Sequence, residues 1–95
     1  FADGDGKMNL SLLDIKGEAL IISQFTLAGN VKKGRRPSFD SSEKPDIAKA
    51  MYEQFVKEFE SLDIHTQTGE FGAHMDVDIH NDGPVTFIID SNELN

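Results

Sequence analysis

The chain has 95 residues, no cysteine, 38 % hydrophobic residues and a formal net charge of −8. That length allows one domain with a small core, the absence of cysteine excludes a disulfide framework and thiolate metal sites, and no apolar run approaches the roughly 20 residues of a membrane span. The acidic balance argues against a surface that wraps nucleic acid, because such surfaces set lysine and arginine against phosphates.

Phe1 to Lys7 is polar and glycine-rich and reads as a turn. Its Asp3-Gly4-Asp5-Gly6 run hints at a calcium loop, but the EF-hand spacing fails at Lys7 and Met8, where a ligand and a glycine are required. Asn9-Leu10-Ser11 matches a glycosylation sequon and is read as a chance match. Met8 to Ile15 carries apolar residues at 8, 10, 12, 13 and 15 and is expected as a strand, turned by Lys16-Gly17. Glu18 to Leu27 follows as the best strand of the chain. Ala19-Leu20-Ile21-Ile22 is continuously apolar, which predicts cover on both faces. On such a strand Gln24 and Thr26 share one face and Ser23 and Phe25 the other. Polar groups at the end of a buried strand either reach solvent or line a site, and the local sequence fits both.

Ala28 to Lys44 is a long loop, a length that signals function or disorder. It holds Lys32, Lys33, Arg35 and Arg36, four of the nine basic residues within five positions. Such a cluster on an acidic body can hold a few phosphates or stand as a solvated loop. Pro45 suits a first helical position and Asp46 the positive end of the helix dipole. From there Ile47, Met51, Phe55, Phe59 and Leu62 form one apolar stripe, with Ala48, Tyr52 and Val56 beside it. The stripe predicts a core-facing helix of about four turns.

Asp63 to Thr68 is expected as a short strand and Gly69 to Ala73 as a turn. His74 to His80 alternates, with Met75, Val77 and Ile79 inward and Asp76 and Asp78 on the solvated face. His65, His74 and His80 are too scattered for zinc, and none forms a recognised pair with a serine or threonine nucleophile. Asn81-Asp82-Gly83-Pro84 then joins to a strand over Val85 to Asp90. Asp-Gly between apolar runs normally signals a type I′ hairpin. Pro84 has no N–H to close that turn, so this is either a special connection, with a Gly-Pro bond able to sit in cis, or an ordinary loop. Ser91 to Asn95 is expected to fray.

Four stretches carry a resemblance. Ser23-Gln24-Phe25-Thr26-Leu27, Lys33 to Phe39, Gly69 to Met75 and Asn81-Asp82-Gly83-Pro84-Val85-Thr86 together resemble, in order, the D-aminoacyl-tRNA deacylases. The likeness runs from about Phe1 to Asp90. Members of that family are longer, and the chain, which opens on Phe1, is expected to be the C-terminal two-thirds of one, a single domain over residues 1–95. The resemblance implies an α+β fold, a twisted, mostly antiparallel sheet or partial barrel on one main helix. It implies a cytoplasmic homodimer without cofactor or metal that proofreads tRNA by hydrolysing the ester between a D-amino acid, or glycine, and the 3′-terminal adenosine.

Carried over residue by residue, Ser23, Gln24, Phe25 and Thr26 line the catalytic pocket. There backbone amides and the substrate's 2′-hydroxyl serve in place of a side-chain nucleophile. Phe71 and Met75 form the wall that receives the adenosine and aminoacyl group. Lys32, Lys33, Arg35 and Arg36 hold phosphates of the acceptor end. Gly83-Pro84, cis and projecting into the partner subunit's pocket, excludes L-amino acids by steric clash. His74 stands where many members have an acidic residue, at the rim. The alternative reading is a non-catalytic RNA-end or phosphate-binding module that uses only the basic loop.

Overall fold

Pro45 begins the long helix of this molecule. Its ring presets φ near the helical value, and its missing N–H is no loss where no intrahelical acceptor exists. The structure, a computed structural model, describes residues 1–83 and 85–94. In it α1 (Pro45–Ser61) starts where the sequence predicts, with Asp46 in its first turn and the Ala48 amide bonded to the Lys44 carbonyl at 2.8 Å. The helix closes on a left-handed residue that is not glycine: Asp63 has φ 59°. Its amide bonds the Glu60 carbonyl at 3.0 Å, and the Ile64 amide reaches back to the Phe59 carbonyl at 3.3 Å. These are the two bonds of a Schellman motif, and Ile64, 6 % exposed, occupies the position that carries its apolar contact. Asp63 bears both the left-handed penalty and a negative charge at the negative end of the helix dipole. Asp63→Gly is therefore expected to stabilise the fold by about 1 kcal/mol, read as a higher urea midpoint. A lower midpoint would show that the carboxylate is needed there.

Downstream of that cap, β2 (Thr66–Thr68) pairs in parallel with β1 (Ala19–Ile21). Ala19 stands opposite Thr66, Leu20 opposite Gln67 and Ile21 opposite Thr68. Parallel pairing demands a long crossover, and the segment from Ile22 to His65, α1 included, supplies it. The fold is α+β, with α1 lying against β2.

The helix presents a different stripe from the one expected. Ala48, Tyr52 and Phe59 are half-buried and Val56 is buried. Ile47, Met51, Phe55 and Leu62 are between 46 % and 67 % exposed. The two apolar stripes are neighbours on the helix. Two strands about 4.8 Å apart offer a surface wide enough for only one of them. Val56 and Ile64 form the core between α1 and the sheet.

Three other expected elements take different forms. Residues 11–17 make a turn instead of continuing the strand expected over Met8 to Ile15. The Asp14 amide donates to Ser11 Oγ at 3.1 Å and the Ser11 amide to Asp14 Oδ2 at 2.7 Å. This reciprocal capping box stabilises a helical turn, and the Ser11 amide, followed by the Ser11 hydroxyl, holds the Asp14 carboxyl below the ordinary carboxylate range. His74 to His80 and Val85 to Asp90 have no regular secondary structure among the described residues, and Ile79, Phe87, Ile88 and Ile89 are 74–93 % exposed. Their alternation predicts strands, but a strand needs a neighbouring backbone to complete its hydrogen bonds. The surface measures 8931 Å², well above the roughly 5,400 Å² of a folded monomer of this mass. Ser91–Glu93, expected to fray, forms a short 3-10 turn capped by Asp90, whose Oδ1 accepts from the Asn92 amide at 2.9 Å.

The Asp3 loop uses its acid internally. Asn9 Nδ2 donates to Asp3 Oδ2 at 2.8 Å, and the Lys7 and Asp5 amides donate to Oδ1 at 3.0 and 2.9 Å. These donors, Asn9 foremost, hold the Asp3 carboxyl below its ordinary range and close the loop. Among the described residues no helix is long and apolar enough to cross a membrane.

Candidate active site

Because β1 and β2 run in parallel, both chains leave the sheet at the same end. Ser23 to Thr26 follows β1, and Gly69 to Met75 follows β2, so two of the four motif stretches begin side by side. In open parallel sheets the carboxyl end of the strands is where ligands bind. Gly69 brings the two exits closer. A Cβ built there would lie 2.5 Å from Met75 Sδ and 3.2 Å from Ile22 Cδ1. A hydrogen at this position lets the half-buried Met75 lie over the exit of β1, beside Ile22 and next in sequence to Ser23. Phe71, also half-buried, packs its ring 5.8 Å from that of Tyr52. Tyr52 in turn donates its hydroxyl to the Ile21 carbonyl at 2.7 Å.

Beyond β1 the expected strand breaks. Ser23 is half-buried, and Phe25–Ala28 is a 3-10 turn. Gln24 and Thr26 therefore do not share a strand face. They meet through a hydrogen bond, the Gln24 side-chain amide donating to Thr26 Oγ1 at 2.6 Å. The turn is held by residues downstream of the basic loop. Ser42 Oγ donates to the Phe25 carbonyl at 3.2 Å and Ser41 Oγ to the Ala28 carbonyl at 2.9 Å. Phe39 packs edge-on against Phe25 at 5.1 Å. These three contacts explain why the segment coils instead of extending.

Chemically the turn offers donors. The Phe25 and Thr26 amides open a helical turn, where no intrahelical acceptor exists for them. Thr26 Oγ1 accepts from Gln24, which leaves its own hydrogen to donate. Among the described residues its side-chain partner is an amide and not a histidine, and an amide is not a base that could activate the hydroxyl as a nucleophile. Among the described residues no group of three or more His, Asp or Glu side chains is placed to hold a metal.

The basic stretch is better ordered than its composition suggests. Asn30 and Ser38 form an antiparallel bridge with amide–carbonyl bonds of 2.7 and 2.8 Å. Asn30 Oδ1 also accepts from the Lys32 amide at 2.9 Å, and Gly34 takes φ 68° at the tip. The bridge presents Lys32, Lys33, Arg35 and Arg36, all exposed, on a closed loop that starts two residues after the 3-10 turn. Gly83 is exposed and does not use a positive φ. A Cβ on it would run into the Val85 backbone nitrogen. Pro84, and with it the expected cis bond, lies outside the described residues.

Several residues that shape this region escape a reading by motif. Tyr52 looks like one more apolar position on α1. Ser41 and Ser42 look like loop polarity, and Gly69 like turn punctuation. Gly69 and Phe39 do fall inside motif stretches, Phe39 in the one that ends the basic loop, but the motifs do not give the contacts these residues make.

The parallel pairing thus brings the Ser23–Thr26 stretch and the Gly69–Met75 stretch to one end of the sheet, and the basic loop follows the 3-10 turn. Residues 1–90 match the family model described as D-Tyr-tRNA(Tyr) deacylase, and the chain belongs to that family. It is 65 % identical over 94 residues to a D-aminoacyl-tRNA deacylase of Persephonella marina, and 67 % identical over 94 residues to one of a Sulfurihydrogenibium species. A third relative of the same name, from Fusobacterium nucleatum, is 61 % identical over 95 residues. The alignments cover 99 %, 99 % and 100 % of this chain, and the chain spans 63 % of the length of each of the three.

Proposed function

We propose that the protein carrying this chain hydrolyses the ester between a D-amino acid, or glycine, and the 3′-terminal adenosine of tRNA. The observation that carries this reading is the parallel pairing of β1 and β2. It sets the Ser23–Thr26 turn beside the Gly69–Met75 stretch in a chain of the deacylase family. In this reading the Phe25 and Thr26 amides, with Gln24 and Thr26 side chains, face the scissile carbonyl and stabilise the oxyanion. An aminoacyl ester is already activated, so positioning a water or the neighbouring 2′-hydroxyl suffices. Phe71 and Met75 receive the adenosine and the aminoacyl group, an aromatic ring being suited to stack on a base. Lys32, Lys33, Arg35 and Arg36 hold the acceptor-end phosphates.

The finer assignments belong to the same proposal. The whole protein's sheet closes into a mostly antiparallel partial barrel. It acts in the cytoplasm as a homodimer without a cofactor. Gly83-Pro84 of one subunit enters the other's pocket and leaves no room for an L side chain. The family match and the Asn81–Thr86 motif support this.

The test is turnover of D-tyrosyl-tRNA by the protein carrying this chain. Binding of the tRNA acceptor end without turnover would favour the non-catalytic phosphate binder instead. Thr26→Ala is expected to retain measurable deacylation, reduced by about 100-fold for one lost polar contact to the oxyanion. Trapping a covalent aminoacyl adduct on Thr26 or Ser23 would overturn the nucleophile-free mechanism.

A further inference from the structure

We infer that Tyr52 is a positioning residue for the proposed site, holding the two strand exits in register from the helix side. The inference rests on the functional reading above and extends it to a side chain outside every motif stretch. Tyr52 makes two contacts of different kind. Its hydroxyl donates to the Ile21 carbonyl at 2.7 Å in a part-buried bond spanning 31 residues. Its ring packs on Phe71 at 5.8 Å with the planes tilted by 38°. Ile21 is the last residue of β1, two positions before Ser23, and Phe71 lies three positions beyond the end of β2.

One side chain thus touches the backbone that aims the Ser23–Thr26 turn and the ring proposed to receive the substrate. Among the described residues the Ile21 carbonyl is the sole backbone acceptor on β1 that a helix side chain satisfies. A half-buried carbonyl left without a donor would move toward water, and the turn it introduces would move with it. Tyr52 and Phe71 also line one side of a cavity of about 480 Å³ along α1, with Val56, Thr68 and Gly69. Of the α1 residues that line this cavity, Tyr52 is the one that also bonds the strand exit.

Two substitutions separate the contacts. Tyr52→Phe keeps the ring and removes the hydroxyl, and Tyr52→Leu removes both. In the protein carrying this chain, with D-tyrosyl-tRNA as substrate, Tyr52→Phe is expected to lower kcat about 10-fold with KM within twofold, since misplacement of reacting groups acts on the chemical step. Tyr52→Leu is expected to lower kcat further and to raise KM several-fold as Phe71 loses its support. Met51→Leu, on the exposed stripe of the same helix, is expected to change neither.

A second readout does not depend on turnover. In NMR spectra Tyr52→Phe is expected to shift the Ile21 carbonyl carbon and the Ser23 to Thr26 amides, with the α1 resonances otherwise in place. Wild-type protein that binds but does not cleave would sink the functional reading while the spectra still decide the role of Tyr52. Wild-type turnover with an unchanged kcat in Tyr52→Phe, or shifts that stop at the helix, would overturn the inference.

Discussion

Replacing Lys32, Lys33, Arg35 and Arg36 together by alanine is expected to flatten the salt dependence of acceptor-end binding by about three units of log K per log salt. Each phosphate contact to a single strand contributes about 0.7 to that slope and each contact to a duplex about 0.9. Four contacts also account for a change in affinity of roughly 100-fold between 50 and 200 mM salt. The variant should therefore bind about two orders of magnitude more weakly at low salt and converge on the wild type at high salt. The prediction rests on the shape of the loop as much as on its charge. The Asn30–Ser38 bridge closes the stretch and leaves all four side chains exposed together. That preorganisation reduces the ordering cost of binding. Hydrolysis of free D-tyrosyl-adenosine should change little, because that substrate has no phosphate for the loop to hold. Titrations at several salt concentrations decide the matter, and an unchanged slope would leave the cluster as a solvated loop.

The second large effect concerns stereochemistry. D-tyrosyl-tRNA should be cleaved at least 100-fold faster than L-tyrosyl-tRNA, the size of discrimination expected when misplacement by about 1 Å defines the rejected substrate. Gly83→Ala should reduce cleavage of the D substrate by a similar factor. The added methyl would collide with the Val85 backbone nitrogen, which must shift and carry the Asn81–Thr86 connection with it. Position 83 does not use a positive φ, so the effect arises from crowding and not from backbone preference. Single-turnover measurements on both stereoisomers, for wild type and variant, supply the comparison. Equal cleavage of the two by the wild type would remove the stereochemical role of this connection.

What the sequence revealed divides along a physical line. Pro45 and Asp46 announced the start of α1 because the reasons are local: a fixed φ and a charge at a dipole end. The face α1 buries was misjudged by one position, since Ile47-Met51-Phe55 and Ala48-Tyr52-Val56 are neighbouring stripes of similar polarity. The sheet decides between them, and its width is not written in the helix. Residues 11–14 carry a capping box, Ser11 with Asp14, while the apolar positions around it read as a strand. Ile79 and Phe87 to Ile89 have the pattern of strands, yet pattern gives direction and not partners. At the strand exits the structure brings the Ser23–Leu27 and Gly69–Met75 stretches together, and the motifs alone do not say how they meet. That Gln24 and Thr26 meet across a turn follows from Ser41, Ser42 and Phe39, more than ten residues away in sequence.

The crossover between β1 and β2 also orders events in time. Turns, the Asn30–Ser38 bridge and α1 rest on contacts close in sequence, which form early. The pairing of Ala19–Ile21 with Thr66–Thr68 must wait until everything from Ile22 to His65 has been made and folded back, and closing so long a segment is entropically costly. A chain emerging from the ribosome would thus display its cationic loop before the two strand exits could meet. On the reading proposed above, attraction for RNA would precede the capacity to act on it.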